Sequence, residues 1–400
     1  LRFYQGVALL AMLAAALALL TLWRPRLGVR IGLAVSLALS ALLAWAHPQP
    51  TARTPAFVVA APALAPALAP DQAHLIARPG ASAAQLLARL RAHQPPPDAV
   101  LLLGDWAPDC DAPHCLPAFA LQHDGERAYT DAFYADLDAD GVVETPVGRL
   151  PVQTPGHARS YLERVHRLRS RALPPRLAYW GAPELDGQPV APPLPESALG
   201  YRVRAVVPAP PLGPSLAQTL ARPAALHVWV AHGSTVSVSA TPDAPATAAF
   251  TLADVQRIPL DGAAAPLFIA GCDAAAFAKP GTCLAEALLA APSGPGAVLA
   301  ATATTYPLTN YLLLRAAAAR PVADIGALWV RLQQPPRLPP GDPLARRLAA
   351  LNPSGGVEPT RLANEPRLYA LLGDPTLPLP NPALTQNGST DTSHTRGDEP

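Results

Sequence analysis

The chain has 400 residues, room for a membrane anchor and one or two globular domains with a sizeable core. Thirty Lys and Arg stand against 29 Asp and Glu, a near-neutral balance that argues against an electrostatic nucleic-acid binder. Four cysteines, at 110, 115, 272 and 283, are too few for a disulfide scaffold, and no CxxC pair occurs.

Phe3 to Trp23 is almost wholly apolar and long enough to span a bilayer as a helix. A second run, Ile31 to Ala46, reaches spanning length when Leu27–Val29 extend it and Arg30 snorkels to the interface. The expected spans are therefore 3–23 and 27–46, forming a membrane anchor over 1–47. Arg24 and Arg26 between them place that loop in the cytoplasm and everything after His47 outside it. This predicts a multi-pass protein of a bacterial inner membrane with an extracytoplasmic body and the lipid bilayer as a partner. A signal peptide is the rival reading, but two runs are present and no small-residue cleavage motif clearly precedes His47.

Residues 48–72 are Pro- and Ala-rich and read as a semi-rigid spacer. The polar segment 381–400 lacks hydrophobic periodicity and reads as a disordered tail. Between them, helical spacing is expected over 82–93 with Ser82 as N-cap, and over 155–173 between Pro155 and Pro174. Further helices are expected at 214–221, 251–257 and 282–291. Continuous apolar runs, the mark of strands buried on both faces, occur at AVLLLGD (99–105), RLAYWG, YRVRAVV, ALHVWVA, PLFIAG and GAVLAAT. This alternation predicts an α/β fold with a mostly parallel sheet and helices on both faces.

Ligands in such folds bind at the carboxyl ends of the strands. ALHVWVA runs into His232-Gly233-Ser234, and PLFIAG runs into Cys272-Asp273. A histidine and a cysteine at two such tips suit thiol catalysis, with a modest depression of the thiol pKa supplying thiolate and His232 moving the proton. Gly233 lacks a side chain, so its N–H could approach a substrate carbonyl and form an oxyanion hole with the Cys272 N–H. Taken singly, a cysteine after an apolar strand is more often a small buried hydrophobe, and a lone histidine more often structural.

The segment LHVWVAHGS, followed by PLFIAGCDAAAFAKPGTCLAEALLAAPSGPGAVLAATATTYP, resembles the catalytic core of the gingipain family of cysteine peptidases, of the caspase clan. LLLGD with the downstream Gly-Arg-Leu-Pro, and YALLGDPTLPL, resemble its flanking blocks, so the likeness spans roughly 82–380. It implies a caspase-like fold, divided into an N-terminal subdomain (73–173) and a catalytic subdomain (174–380). It further implies His232 as general acid/base, Cys272 as nucleophile, and Gly233 with Cys272 as oxyanion donors. Glu184 matches a glutamate that orients the family histidine. Members cleaving after arginine bury an acid in a stretch that is shortened here, and Asp186 lies nearby. With Thr304, Thr305 and Tyr306 as the expected pocket wall, a relaxed or non-basic preference is anticipated.

The remaining sites are secondary. Asp136, Asp138, Asp140, Gly141 and Glu144 space their oxygens like the start of a calcium loop, although Asp-rich turns commonly satisfy their own backbone. No other cofactor is required. Cys110 and Cys115 could close a small disulfide, and a zinc alternative using His114 or His123 lacks a second ligand pair. Cys283 reads as a buried free thiol. The functional expectation is a membrane-anchored cysteine endopeptidase with a peptide or protein substrate and no nucleic-acid partner. A silent tethered scaffold and a dedicated processing protease or transpeptidase remain as alternatives, and the oligomeric state is left open.

Overall fold

The computed structural model describes residues 56–106, 110–181, 194, 197–242, 244–260, 264–279 and 281–380. The expected spans 3–23 and 27–46, the first part of the expected spacer and the tail 381–400 lie outside the described residues. Among those described, no helix is long and apolar enough to cross a membrane.

The first elements are β1 (Phe57–Ala60), β2 (His74–Ile76), α1 (Ala83–Arg91) and β3 (Val100–Leu103). A hairpin follows, β4 (Phe119–His123) and β5 (Glu126–Thr130), then β6 (Val147–Leu150) and α2 (Pro155–Arg169). Next come β7 (Arg176–Gly181), β8 (Ser197–Ala198), β9 (Tyr201–Ala205), α3 (Leu212–Ala221) and β10 (Leu226–Val230). The short strands β11 (His232–Gly233), β12 (Ser237–Ser239) and β13 (Ala249–Thr251) precede α4 (Leu252–Val255). The rest of the body is β14 (Leu267–Ala270), α5 (Leu284–Ala290), β15 (Ala297–Ala301) and α6 (Pro307–Ala318). It closes with α7 (Ile325–Gln333), α8 (Pro343–Ala350), α9 (Pro359–Leu368) and β16 (Tyr369–Gly373).

Eleven strands form one sheet in the order β2-β1-β3-β6-β16-β15-β14-β10-β7-β9-β8. Its pairs are parallel except β15 with β16 and β8 with β9. VLLL, LHVWV, LFIA, AVLAA and YALLG are buried at every position, so these strands lose both faces to the core. Near-continuous apolar runs are what that environment requires, and His227 in LHVWV is the one basic residue in them, its burial pushing the imidazole down to about 4.

Helix ends follow local chemistry. Ser82 and Gln85 form a reciprocal capping box on α1, with Gln85 N–H donating to Ser82 Oγ and Ser82 N–H donating to Gln85 Oε1. The helix expected over 155–173 ends at Arg169, ahead of Pro174. That over 282–291 is trimmed to 284–290, because Cys283 is its N-cap and donates its N–H to Glu286 Oε2 at 2.7 Å.

The spacer expected over 48–72 is corrected by the fold. Phe57-Val58-Val59-Ala60 is a buried strand inside the sheet, paired with β3 in the register Phe57↔Val100 and with β2 on its other side. Branched and aromatic side chains here outweigh the proline-rich composition around them. Pro62 and Pro66 sit in a 3₁₀ turn whose Leu64 and Ala67 are also buried. The N-terminal half therefore begins no later than Phe57. It also shares one sheet with the second half, because β6 pairs in parallel with β16, Arg149 opposite Leu372.

Candidate active site

The central pair β10 and β14 runs in parallel with Val230 opposite Ala270. Each strand continues two residues further, to His232 and to Cys272, so the register brings the two tips side by side. Two glycines permit the approach. A Cβ on Gly271 would lie 2.6 Å from the Ala231 carbonyl oxygen, and one on Gly233 only 2.1 Å from that of Cys272. No side chain fits at either place, and Gly233 lies directly against the Cys272 backbone.

Local bonds then fix each tip. His232-Gly233 turns back as β11 and pairs with β12, His232 opposite Ser239 and Gly233 opposite Val238. The connecting turn is closed by Ser234 N–H donating to the Ser237 carbonyl at 2.8 Å. Leu284 N–H at the start of α5 donates to the Thr235 carbonyl at 2.7 Å, docking the hairpin. On the other tip, Asp273 adopts φ +56°, a left-handed conformation that Asp tolerates better than most residues. Its carboxylate pairs with Lys279 Nζ at 2.6 Å, and its N–H donates to Ala303 O at 3.2 Å.

Cys272 is half-buried, and its sulfur faces Thr305. Sγ accepts from the Thr305 N–H at 3.4 Å and faces the Thr305 carbonyl at the same distance. Burial pushes the thiol up from its usual value; the Thr305 contacts pull against that, and the charges of Asp273 and Glu365 add to it. The depressed thiol expected from sequence is thus reversed, because desolvation of the thiolate outweighs two weak hydrogen bonds. Cys283 is fully buried, with a thiol pushed further up by burial and by Glu286.

His232, Cys272 and Thr305 line one pocket of about 70 Å³, with Asn310, Tyr311 and Leu314 of α6 as its far wall. The expected pocket wall divides. Thr305 faces this pocket, whereas Thr304 and Tyr306 line a second one, of about 160 Å³, with His123 and Asp124. Alternation along an extended segment sends neighbouring side chains to opposite sides. A cleft of about 960 Å³ opens on the same rim beside Asp105, Trp106, Lys279 and Glu286, and does not include His232 or Cys272. Glu184 and Asp186 lie outside the described residues.

Cys110 and Cys115 are joined in a disulfide, which removes both thiols from any zinc site. His123 instead bonds the Thr304 carbonyl at 3.0 Å. One ligand oxygen each from Asp136, Asp138, Asp140 and Glu144 lies within 4.8 Å of the others. Burial pushes Glu144 up, its bond from Leu137 N–H pulls against that, and the charges of Asp138, Asp136 and Asp140 add smaller upward pushes. These acids also serve their own loop: Glu144 Oε1 accepts from Leu137 N–H and Asp138 Oδ1 from Asp140 N–H.

Several motif residues have structural work. Arg149 of Gly-Arg-Leu-Pro is fully buried and bidentate to Asp131, at 2.7 Å through both Nε and Nη2. It also donates to the carbonyls of Leu116 and Pro117 and lies under the Phe277 ring. Asp374 of Leu-Leu-Gly-Asp-Pro pairs with Arg169 of α2 at 2.6 Å and accepts from Thr376 N–H. The sequence reading missed Asp131, Glu365 and the β4–β5 hairpin. The signal for Glu365 was an acid between Leu362 and Leu368, on the apolar face of a helix.

An α/β sheet with histidine and cysteine at adjacent parallel strand ends has the architecture of a cysteine peptidase, and the comparisons agree. The model of peptidase family C25 matches residues 80–181 and 196–380, and the chain belongs to that family, the gingipain family of cysteine peptidases. Among solved structures, the complex of Porphyromonas gingivalis RgpB pro- and mature domains is 14% identical with a TM-score of 0.52, covering 81% of this chain and 80% of that one. The Arg-specific cysteine proteinase gingipain R is 13% identical with a TM-score of 0.52, covering 84% and 79%. A structure described only as a protease is 14% identical with a TM-score of 0.55, covering 81% and 78%. No curated protein matches the chain.

Proposed function

We propose that the chain is an endopeptidase in which Cys272 is the nucleophile and His232 the general acid/base. The observation that carries this is the β10–β14 register, which sets the two tips level with Gly233 packed on the Cys272 backbone. The Cys272 sulfur attacks the scissile carbonyl, forming an S–C bond as its proton passes to His232. The N–H groups of Gly233 and Cys272 bind the oxyanion, each worth about 3 kcal/mol. The C–N bond then breaks, His232 protonates the leaving amine, and a thioester remains on Cys272. Water, deprotonated by His232, attacks that thioester; the acid departs and the thiol regains its proton. A raised thiol suits this order, since proton transfer to His232 then accompanies attack. Labelling with an electrophilic peptidyl probe tests it: Cys272→Ala loses labelling and turnover, and Cys283→Ala keeps both. A dead Cys283→Ala with an active Cys272→Ala reverses the assignment.

Substrate choice follows the pocket. The stretch that carries the arginine-binding acid in family members cleaving after arginine is shortened here, which supports a non-basic residue before the cut. Glu184 is assigned to orienting His232. A positional-scanning peptide library decides the preference, and a hundredfold or so in favour of arginine would place an acid there, with Asp186 first to mutate. The apolar runs 3–23 and 27–46, with Arg24 and Arg26 between them, support anchoring in a bacterial inner membrane with the body outside the cytoplasm. The Cys110–Cys115 bond suits that oxidising side. Protease added to spheroplasts digests the body in this topology, and full protection inverts it. The convergent acids at 136–144 support a calcium ion that stiffens their loop, read as a rise in Tm with calcium that Asp138→Asn abolishes.

A further inference from the structure

Glu365 sits on α9 with 0% exposure, a carboxyl group in the interior. Its Oε2 accepts the Tyr306 N–H at 3.1 Å. Tyr306 directly follows Thr305, whose N–H and carbonyl both face the Cys272 sulfur at 3.4 Å. That hydrogen bond, with the one between His123 and the Thr304 carbonyl on its other side, holds the peptide segment against which the sulfur rests. Arg361, one turn earlier on α9, lies with Cζ 4.3 Å above the Tyr306 ring, and its Nε is 3.8 Å from Glu365 Oε1. Arg361 also pairs with Asp124 of the β4–β5 turn and with Glu358. Two elements, α9 and the β4–β5 hairpin, therefore meet the Thr304–Tyr306 segment of the loop after β15.

We propose that Glu365 is a positioning residue for Cys272, holding the Thr305 backbone against the sulfur through Tyr306 and setting a carboxyl charge one peptide unit from that contact. The inference rests on the reading of Cys272 as nucleophile. Glu365 is in contact with Arg361 on its own helix and with Tyr306 and Thr309 at the start of α6, and it interacts through charge with Asp124 of the hairpin, Tyr369 of β16 and Cys272. Burial pushes the Glu365 carboxyl up to about 7, against the pull of the Tyr306 N–H, the Thr309 hydroxyl and Arg361, with Asp124 adding to the rise. Below that pH the carboxyl is neutral. Above it a negative charge appears and opposes the thiolate, so the two ionisations work against each other.

The test uses the whole chain and reads Cys272 alkylation by iodoacetamide, followed by peptide mass across pH, beside kcat and KM. Glu365→Gln keeps an acceptor for Tyr306 and removes the charge. Its alkylation above neutral pH is expected to be at least about threefold faster, the effect of half a pKa unit on a thiol. Glu365→Ala leaves the Tyr306 N–H without its acceptor, and kcat is expected to fall about tenfold with KM little changed. Superimposable wild-type and Gln profiles overturn the proposal, as does an Ala variant with unchanged kcat. A merely structural role lowers folded fraction and leaves the profile of the folded protein in place. If the Ala variant does not fold, the Gln profile decides alone. Alkylation needs no turnover, so a failed nucleophile assignment shows separately, as activity surviving Cys272→Ala.

Discussion

The two halves of the sheet end in opposite ways at the same rim. At the tips of β3 and β6 the polar groups are mutually satisfied: Arg149 takes both oxygens of Asp131 and several carbonyls, and Asp105 accepts from Trp106 N–H and from Gln153. At the tips of β10 and β14 a sulfur rests on one threonine and borders a pocket. The motif residues at the two ends look alike in sequence. Satisfaction separates them, since a buried charge that is fully paired is costly to unpair and has no valence left for chemistry, whereas a thiol with weak partners beside open space can react.

The comparison predicts unequal responses to mutation. His232→Ala is expected to lower turnover by at least about a hundredfold, the usual scale for a general acid/base, with the unfolding midpoint nearly unchanged. Wild-type turnover in that variant breaks the reading of the β10 tip. Gly233→Ala forces a Cβ into the Cys272 carbonyl. A displacement of about an ångström is expected to cost about a hundredfold in kcat, and a crystal structure of the variant would show the shift.

Asp131→Ala acts at the other rim. It leaves Arg149 buried without its partner, so urea unfolding is expected to show about 3–5 kcal/mol less stability, with activity per folded molecule retained. Activity lost without stability would move that rim into the chemistry. The smallest effect is in the pH profile. Burial holds the Cys272 thiol up, so wild-type alkylation is expected to keep rising on the alkaline side of the ordinary thiol range. A plateau already reached at neutral pH would mean a thiolate–imidazolium pair in the resting protein.

Much of the rim was legible because its strands are buried on both faces and write themselves as apolar runs ending in a reactive residue. LHVWV before His232 and LFIA before Cys272 are the clearest cases. The first strand was not legible: β1 is four residues long inside a proline-rich stretch, and only pairing with β3 makes it a strand. Glu365 was hidden for a related reason, since the group it holds is distant in sequence and meets it only after α6 and α9 have packed.

The sequence by itself determined which residues could react, because histidine and cysteine after apolar runs depend on local pattern and side-chain chemistry alone. It also determined the family, whose motifs are short and ordered along the chain. The tertiary structure decided how those residues behave. The register of β10 on β14 sets the tips level, Thr305 rather than Thr304 or Tyr306 faces the sulfur, and burial raises the thiol where local pattern suggested a lowered one. Register, facing and desolvation all arise from segments far apart in sequence, and a linear pattern carries none of them.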